Sequence, residues 1–168
     1  MTQRASLGGI SAAAQAAGAK PRRILAVDYG RKRIGLALSD ELGITAQPLE
    51  TLVRTNRQSD LRRLREICRM HSVGHIIVGY PLHMTGEAGP MAEEAARFAA
   101  RLEKGIGIDV ELADERLTSW EAEQTMAETK APARRRRGPL DDVAAAILLR
   151  DYLEQKRGQT PSATAEKD

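Results

Sequence analysis

Cysteine, aromatic residues and long apolar runs are all scarce in this chain. Its single cysteine, Cys68, can form neither an internal disulfide nor a thiolate cage for zinc, so a reduced compartment, the cytoplasm, is expected. Aromatic residues make up only 3% of the sequence, which argues against base stacking as the main source of any nucleic-acid affinity. No apolar run reaches the roughly 20 residues of a membrane span, so we expect no membrane partner.

The charges are nearly balanced, with 26 Lys and Arg against 23 Asp and Glu and a net charge of +3. This balance permits a nucleic-acid partner without requiring one, so the clustering of the basic residues matters more than their number. The length of 168 residues fits one domain with tails. Because both ends are rich in small and polar residues, we predict flexible tails over residues 1–21 and 158–168, around a domain over residues 22–157.

Three short apolar runs in the first part of the domain predict an antiparallel meander. The first run covers residues 24–27 and ends at Asp28, the second covers residues 34–39, and the third covers residues 43–52 with a break near Pro48. The short turns between them favour direct pairing of neighbouring strands. The first strand is predicted to be buried on both faces because its apolar run is continuous.

Helical periodicity alternates with short strands in the second part. The order β-β-β-α-β-α-β-α-α predicts an α/β fold, with a central mixed five-stranded sheet, an antiparallel meander followed by parallel strands, flanked by helices. The predicted elements after the meander are a helix capped by Ser59, a strand over 75–80, a helix from Pro90, a strand over 109–113, a helix with the capping box Thr118 and Glu121, and a helix over 142–155.

Acidic residues stand where this fold places functional groups. Asp28 ends the first strand, Glu115 follows the fifth, and Asp141 lies at the start of the last helix, so all three can meet beyond the carboxyl ends of the strands. Converging carboxylates without a Cys or His pair favour Mg²⁺ or Mn²⁺, and a pair of such ions supports phosphodiester hydrolysis. Taken alone, Asp28 is equally compatible with a turn residue, whereas Asp141 alone fits a helix N-cap better than a catalytic role.

Four ordered segments carry a specific resemblance: residues 27–37 (VDYGRKRIGLA), 77–82 (IVGYPL), 114–119 (DERLTS) and 140–145 (LDDVAA). Together they resemble the YqgF/RuvX family, whose members are described as Holliday junction resolvases and pre-16S rRNA nucleases. The resemblance implies an RNase H-like fold and a metal-dependent nuclease site at Asp28, Glu115 and Asp141. Asp142 is an alternative ligand to Asp141, and Asp114 to Glu115. Adjacent strand residues face opposite sides, so only one of Asp114 and Glu115 should enter the site directly.

Basic residues near these carboxylates are predicted to bind substrate phosphates. Four consecutive arginines in the loop before Asp141 could clamp phosphates bidentately, although a run of charge in a loop is also compatible with simple solvation. His83 stands where the family often has Asn, and Gly138-Pro139 where it often has a basic residue. The predicted substrate-binding residues are Arg31, Lys32, Arg33, His83, Arg116, Arg134, Arg135, Arg136 and Arg137.

The leading hypothesis is a metal-dependent nuclease, of the two-metal-ion type, in 5′-end processing of precursor 16S rRNA. One alternative is a Holliday junction resolvase acting on branched DNA, and another is a noncatalytic nucleic-acid-binding module. An actin-like or sugar-kinase-like phosphotransferase also has an Asp-x-Gly hairpin. That fold closes two such domains around a nucleotide, and 168 residues supply only one, so the length argues against this class. The expected partner is structured RNA or branched DNA, and the sequence leaves open a monomer or a homodimer.

Replacing Arg134, Arg135, Arg136 and Arg137 by Ala should flatten the salt dependence of nucleic-acid binding, because each lost phosphate contact removes counterion release. The measurement is the slope of log K against log salt concentration. An unchanged slope would remove the arginine run from the interface.

Overall fold

A computed structural model describes residues 22–81, 85–114 and 140–159, with side chains of the last segment from Val143 onward. No helix within these residues is both long enough and apolar enough to cross a membrane. The elements follow in the order β1 (Arg23–Tyr29), β2 (Arg33–Ser39), β3 (Ala46–Val53), α1 (Arg57–Met70), β4 (Val73–Tyr80), α2 (Pro90–Ile106), β5 (Val110–Asp114) and α3 (Leu140–Gln159).

The described strands form one mixed sheet in the order β3-β2-β1-β4-β5. The β1–β2 and β2–β3 pairs are antiparallel, whereas β4 runs parallel to β1 and to β5. The predicted meander followed by parallel strands is therefore confirmed. Leu25, Ala26 and Val27 of the central strand β1 have no exposed surface, as their continuous apolar run predicts.

One face of the sheet is covered by α1 and α2. The apolar stripe of α1 includes Leu64 and Ile67, and that of α2 includes Phe98 and Leu102; these pack on side chains of β1, β2 and β4. The predicted helical spacing is confirmed for both helices. Cys68 belongs to the same buried cluster, and its burial raises the pKa of its thiol to about 11.

The opposite face is covered by α3. Leu148, Leu149 and Leu153 of this helix pack against Ala26, Ala37 and Ile77 of the three central strands. Small residues on β1 and β2 let the helix lie close to the sheet. The sheet is thus buried on both sides, as the mixed topology requires.

The third strand begins later than predicted, at Ala46 rather than at residue 43. Gly43 has a left-handed φ of 67°, and its N–H donates to the carbonyl of Asp40, so residues 40–45 form the turn. The predicted break near Pro48 is a shift of register between Leu36 and Ala37 of the partner strand. β3 lies at the edge of the sheet, where the missing N–H of a proline is tolerated.

The ends of the helices also differ from the predictions. Asn56, not Ser59, caps α1: its side-chain oxygen accepts from the N–H of Ser59 at 2.9 Å, so the helix starts two residues before Ser59. The last helix is longer than residues 142–155 and includes Asp141 in its first turn. The capping box of Thr118 and Glu121, and most of the predicted tails, lie outside the described residues.

Leu149→Ala should lower the free energy of unfolding by about 2–5 kcal/mol, because a side chain with no exposed surface leaves a cavity between α3 and the sheet. Urea denaturation measures this loss. Leu42→Ala is the matched control, since Leu42 is 74% exposed and should change stability by less than about 0.5 kcal/mol. Similar losses in the two variants would contradict this account of the α3 layer.

Candidate active site

Asp28 lies at the carboxyl end of β1, on the side of the sheet that α3 covers. Leu25 and Val27 belong to the core under α1 and α2, whereas Ala26 belongs to the core under α3. Successive strand residues face opposite sides, so Asp28 shares the face of Ala26. Its side chain is partly exposed at the end of an otherwise buried strand.

The strand neighbours of Asp28 on this face are glycines. Gly35 of β2 pairs directly with Asp28. On the other side, Val78 pairs with Val27, so Gly79 is level with Asp28, and Gly79 pairs in turn with Ala113 of β5. A glycine inside a strand often marks a close approach by a ligand or another backbone. The carboxylate is therefore flanked by positions without side chains, a feature that sequence reasoning missed although both glycines stand within its motifs.

A polar cluster anchors the C-terminal half of α3 on the sheet. The hydroxyl of Tyr152 donates to Oε2 of Glu111 at 2.8 Å and lies 3.3 Å from Nε2 of His75, which is itself 3.1 Å from the same carboxylate oxygen. Burial, followed by the contact with Glu111, raises the pKa of Tyr152. His75 pairs with Ile24 near the start of β1. The C-terminal half of α3 therefore lies over the amino end of β1.

We expect the first turn of α3 toward the carboxyl end of β1. Asp141 precedes Tyr152 by roughly 16 Å along the helix axis, at about 1.5 Å per residue. Asp28 is about 13 Å from Ile24 along β1, at about 3.3 Å per residue. The two lengths are comparable, so this turn and Asp28 are expected at the same end and on the same face of the sheet. The side chains of Asp141 and Asp142 lie outside the described residues.

Asp114 faces away from Asp28. Ala113 belongs to the core under α3, and Glu111 contacts Tyr152 of that helix, so the residues between and after them on β5 point to the other face. Asp114 is exposed there. Glu115 lies outside the described residues. That Glu115 rather than Asp114 binds the metal stays a prediction.

The described donor set suits a hard cation but is incomplete. A carboxylate such as that of Asp28 is the ligand type that Mg²⁺ and Mn²⁺ prefer. Within residues 22–81, 85–114 and 143–159, no three His, Cys, Asp or Glu side chains are grouped as a metal site. The two other predicted ligands, Glu115 and Asp141, have no described side chains, so the metal centre remains a prediction.

Within the described residues, one of the three basic residues after β1 forms an ion pair. Nη2 of Arg31 donates to Oε1 of Glu94 on α2 at 2.8 Å, and its Nε donates to the same oxygen at 3.2 Å. This contact draws Arg31 toward the face opposite Asp28. Lys32 and Arg33 are exposed and make no ion pair with a described residue. His83, Arg116 and the run from Arg134 to Arg137 lie outside the described residues.

Arg54, which sequence reasoning did not identify, supports the turn that follows Asp28. Its Nη1 donates to the hydroxyl of Tyr29 at 3.0 Å and to the carbonyl of Gly30 at 3.2 Å, and its Nε donates to Asp60 at 3.2 Å. The guanidinium also lies 5.0 Å from the centre of the Tyr29 ring. The only sequence signal was an arginine directly after the third strand, followed by an acid in the next helix.

The sheet order and its two helical layers define an RNase H-like protein, confirming the predicted fold. Among solved structures, Thermus thermophilus RuvC in complex with a Holliday junction substrate superposes with a TM-score of 0.53 at 13% identity, over 82% of this chain and 97% of that one. This likeness concerns the fold. The pattern that defines the RuvX family, described as "Holliday junction resolvase", matches residues 22–155.

Relatives share much more of the sequence. A protein of Syntrophus aciditrophicus named "Putative pre-16S rRNA nuclease" is 46% identical over 132 residues, which span 79% of this chain and 88% of that protein. A protein of the same name from Anaeromyxobacter sp. (strain K) is 45% identical over 134 residues, spanning 80% of this chain and 98% of that protein. The chain belongs to the RuvX family, and the resemblance found in its four segments is confirmed.

Arg31→Gln should raise the pKa of Glu94 toward the ordinary glutamate value of about 4.3, because the hydrogen bonds and charge of Arg31 hold it below that value. NMR titration of the Glu94 carboxyl carbon measures the change. Since the pKa is lowered in the folded state, the pair stabilises the fold above the unfolded-state pKa and ceases to do so as pH falls through the folded-state pKa. Lys32→Gln is the control and should leave the Glu94 titration unchanged; an equal shift in both variants would contradict the pairing.

Proposed function

We propose that this protein is a metal-dependent nuclease that hydrolyses phosphodiester bonds in the 5′-end processing of precursor 16S rRNA. The observation that carries the proposal is the position of Asp28, flanked by Gly35 and Gly79, at the carboxyl end of β1 on the face that α3 covers. Membership of the RuvX family and the RNase H-like fold support a nuclease. The names of the relatives support a precursor rRNA as substrate. That substrate would place the protein in the cytoplasm and in ribosome biogenesis.

Asp28, Glu115 and Asp141 are the proposed ligands of Mg²⁺ or Mn²⁺. When bound, such ions supply an activated water and stabilise the leaving oxygen of an in-line displacement. Asp28 is held by a strand that is buried on both sides, so its carboxylate is presented from a rigid support. Its glycine neighbours leave the phosphodiester free of competing side chains on β2 and β4.

The basic residues are proposed to hold the nucleic-acid backbone. Lys32 and Arg33 follow Asp28 in the chain and are exposed, so they can neutralise phosphates on either side of the cleaved bond. Arg116 and the run from Arg134 to Arg137 are proposed to do the same from the segments next to Glu115 and Asp141. Because the chain has few aromatic residues, recognition should depend on backbone and shape more than on bases.

A second candidate function is the resolution of branched DNA. It is favoured by the fold shared with a RuvC that was solved in complex with a Holliday junction substrate, and by the description of the family. Cutting both strands of a junction requires two symmetric sites, and therefore a dimer. The two functions are separated by the preferred substrate and by the oligomeric state of the active species.

Asp28→Asn should abolish metal-dependent cleavage of a 5′-extended 16S rRNA precursor, with a loss on the order of 10²-fold or more, because the amide is a weaker metal ligand of the same shape. Cleavage with and without Mn²⁺ or Mg²⁺ is the measurement, with circular dichroism to verify folding. A four-way DNA junction is tested alongside the RNA.

Asp109→Asn is the control, because Asp109 is exposed in the turn before β5 and the substitution makes the same chemical change away from the site. Full activity of Asp28→Asn would refute the assignment of Asp28. Preferential cleavage of the junction would favour the second function. Salt-sensitive binding without cleavage, in the presence of either metal, would favour a noncatalytic binding module.

A further inference from the structure

A small pocket of about 130 Å³ opens between the start of α1 and the middle of α2. It lies on the face of the sheet opposite Asp28, because both helices cover that face. Its volume is well below the roughly 300 Å³ of a pocket for a whole drug-sized ligand, so it suits one ring system. We call it the arginine pocket; it is lined chiefly by Arg54, Arg57, Gln58, Leu61, Phe98 and Arg101.

The rim of the arginine pocket carries a surplus of positive charge. Asp60 also lines the pocket and pairs with Arg54 at 3.2 Å, so the charges of these two residues largely cancel. The side chains of Arg57 and Arg101 make no ion pair or hydrogen bond with any residue in the described part of the chain. Two unpartnered guanidinium groups at one small opening favour an anion, and guanidinium groups bind phosphates bidentately.

The wall of the arginine pocket is apolar. Leu61, Phe98 and Leu102 form it, and Phe98 is also in contact with the Tyr29 ring, 4.8 Å away between ring centres. A simple inorganic anion would make no use of this apolar wall, and a purely apolar group would make no use of the arginines. A nucleotide has both a flat base and a phosphate, and bases pack favourably on aromatic side chains and guanidinium planes.

The arginine pocket is connected to the turn beside Asp28. Arg54 forms part of the pocket wall and donates hydrogen bonds to Tyr29 and Gly30, the two residues that directly follow Asp28. The pocket therefore borders the same end of β1 from the other face. A single strand that passes Asp28 and crosses this end of the sheet would reach the pocket within a few nucleotides.

We propose that the arginine pocket binds one unpaired nucleotide of a single-stranded segment that continues from the bond held at Asp28. The base lies against Leu61 and the small exposed part of Phe98, and its phosphate contacts Arg57 and Arg101. The path from Asp28 rests on the proposed function, whereas the binding of a nucleotide in the pocket does not. The pocket would make the protein prefer substrates with a single-stranded extension next to the cleaved bond.

The test is the affinity of Gln58→Glu for a fluorescently labelled 12-nucleotide single-stranded RNA, measured by anisotropy in EDTA so that no cleavage intervenes. Gln58 is exposed in the first turn of α1, where a carboxylate favours the helix, so the variant should fold. The new charge faces the bound phosphate and should weaken binding by roughly 3- to 10-fold. Arg101→Gln should also lower the salt slope by about 0.7, the value for one phosphate of a single strand.

Gln155→Glu is the matched control, because it makes the same substitution at an exposed position of α3, far from the arginine pocket. It should bind the RNA like the unmodified protein. Equal affinities of Gln58→Glu and Gln155→Glu would overturn the proposal. The affinity for a 12-base-pair duplex should not change in Gln58→Glu, since the bases of a duplex are not available. An equal loss of affinity for the duplex would overturn the proposal that an unpaired base occupies the pocket.

Cross-linking provides a readout that does not depend on affinity. RNA carrying 4-thiouridine should cross-link on irradiation to peptides that contain Leu61 or Phe98, and cross-links confined to other peptides would overturn the proposal. Loss of RNA binding in Gln58→Glu together with absence of metal-dependent cleavage would refute the nuclease and keep the pocket. Cleavage that requires Asp28, with no effect of Gln58→Glu on binding, would support the nuclease and overturn the pocket.

Discussion

The burial of β1 between two helical layers is the constraint on which the rest of the structure depends. Leu25 and Val27 pack under α1 and α2, while Ala26 packs under α3, so neither layer can form without this strand. A strand held from both faces has little freedom to slide or tilt. It can therefore hold a partly exposed carboxylate, Asp28, in a fixed position relative to the neighbouring strands.

Much of this arrangement could be predicted from the sequence, because apolar periodicity is a local signal. The continuous run before Asp28 and the helical stripes of α1 and α2 defined their elements directly. The cap of α1 was misplaced at Ser59, since a Ser, an Asn and several polar residues stand together and only the backbone path selects Asn56. The register between neighbouring strands could not be predicted from the sequence either. This register places Asp114 on the face opposite Asp28.

Long-range polar contacts were equally inaccessible from the sequence. Arg54 reaches back to Tyr29 and Gly30, and Glu94 reaches Arg31 from another helix. These contacts depend on how α1 and α2 pack on the sheet, which no local pattern encodes. They also divide the basic residues near β1 into those already neutralised within the protein and those available to a polyanion. Charge clustering in a sequence therefore overstates the charge that a partner would meet.

The position of α3 has a consequence for the order of synthesis. The strand that carries Asp28 is the first described element of the chain, and the helix that covers its face is the last. Contacts between such distant segments form only after nearly all of the domain has left the ribosome. A nascent chain would therefore present Asp28 on a sheet with one bare face. If the proposed site needs Asp141, it is complete only after the last described helix has emerged.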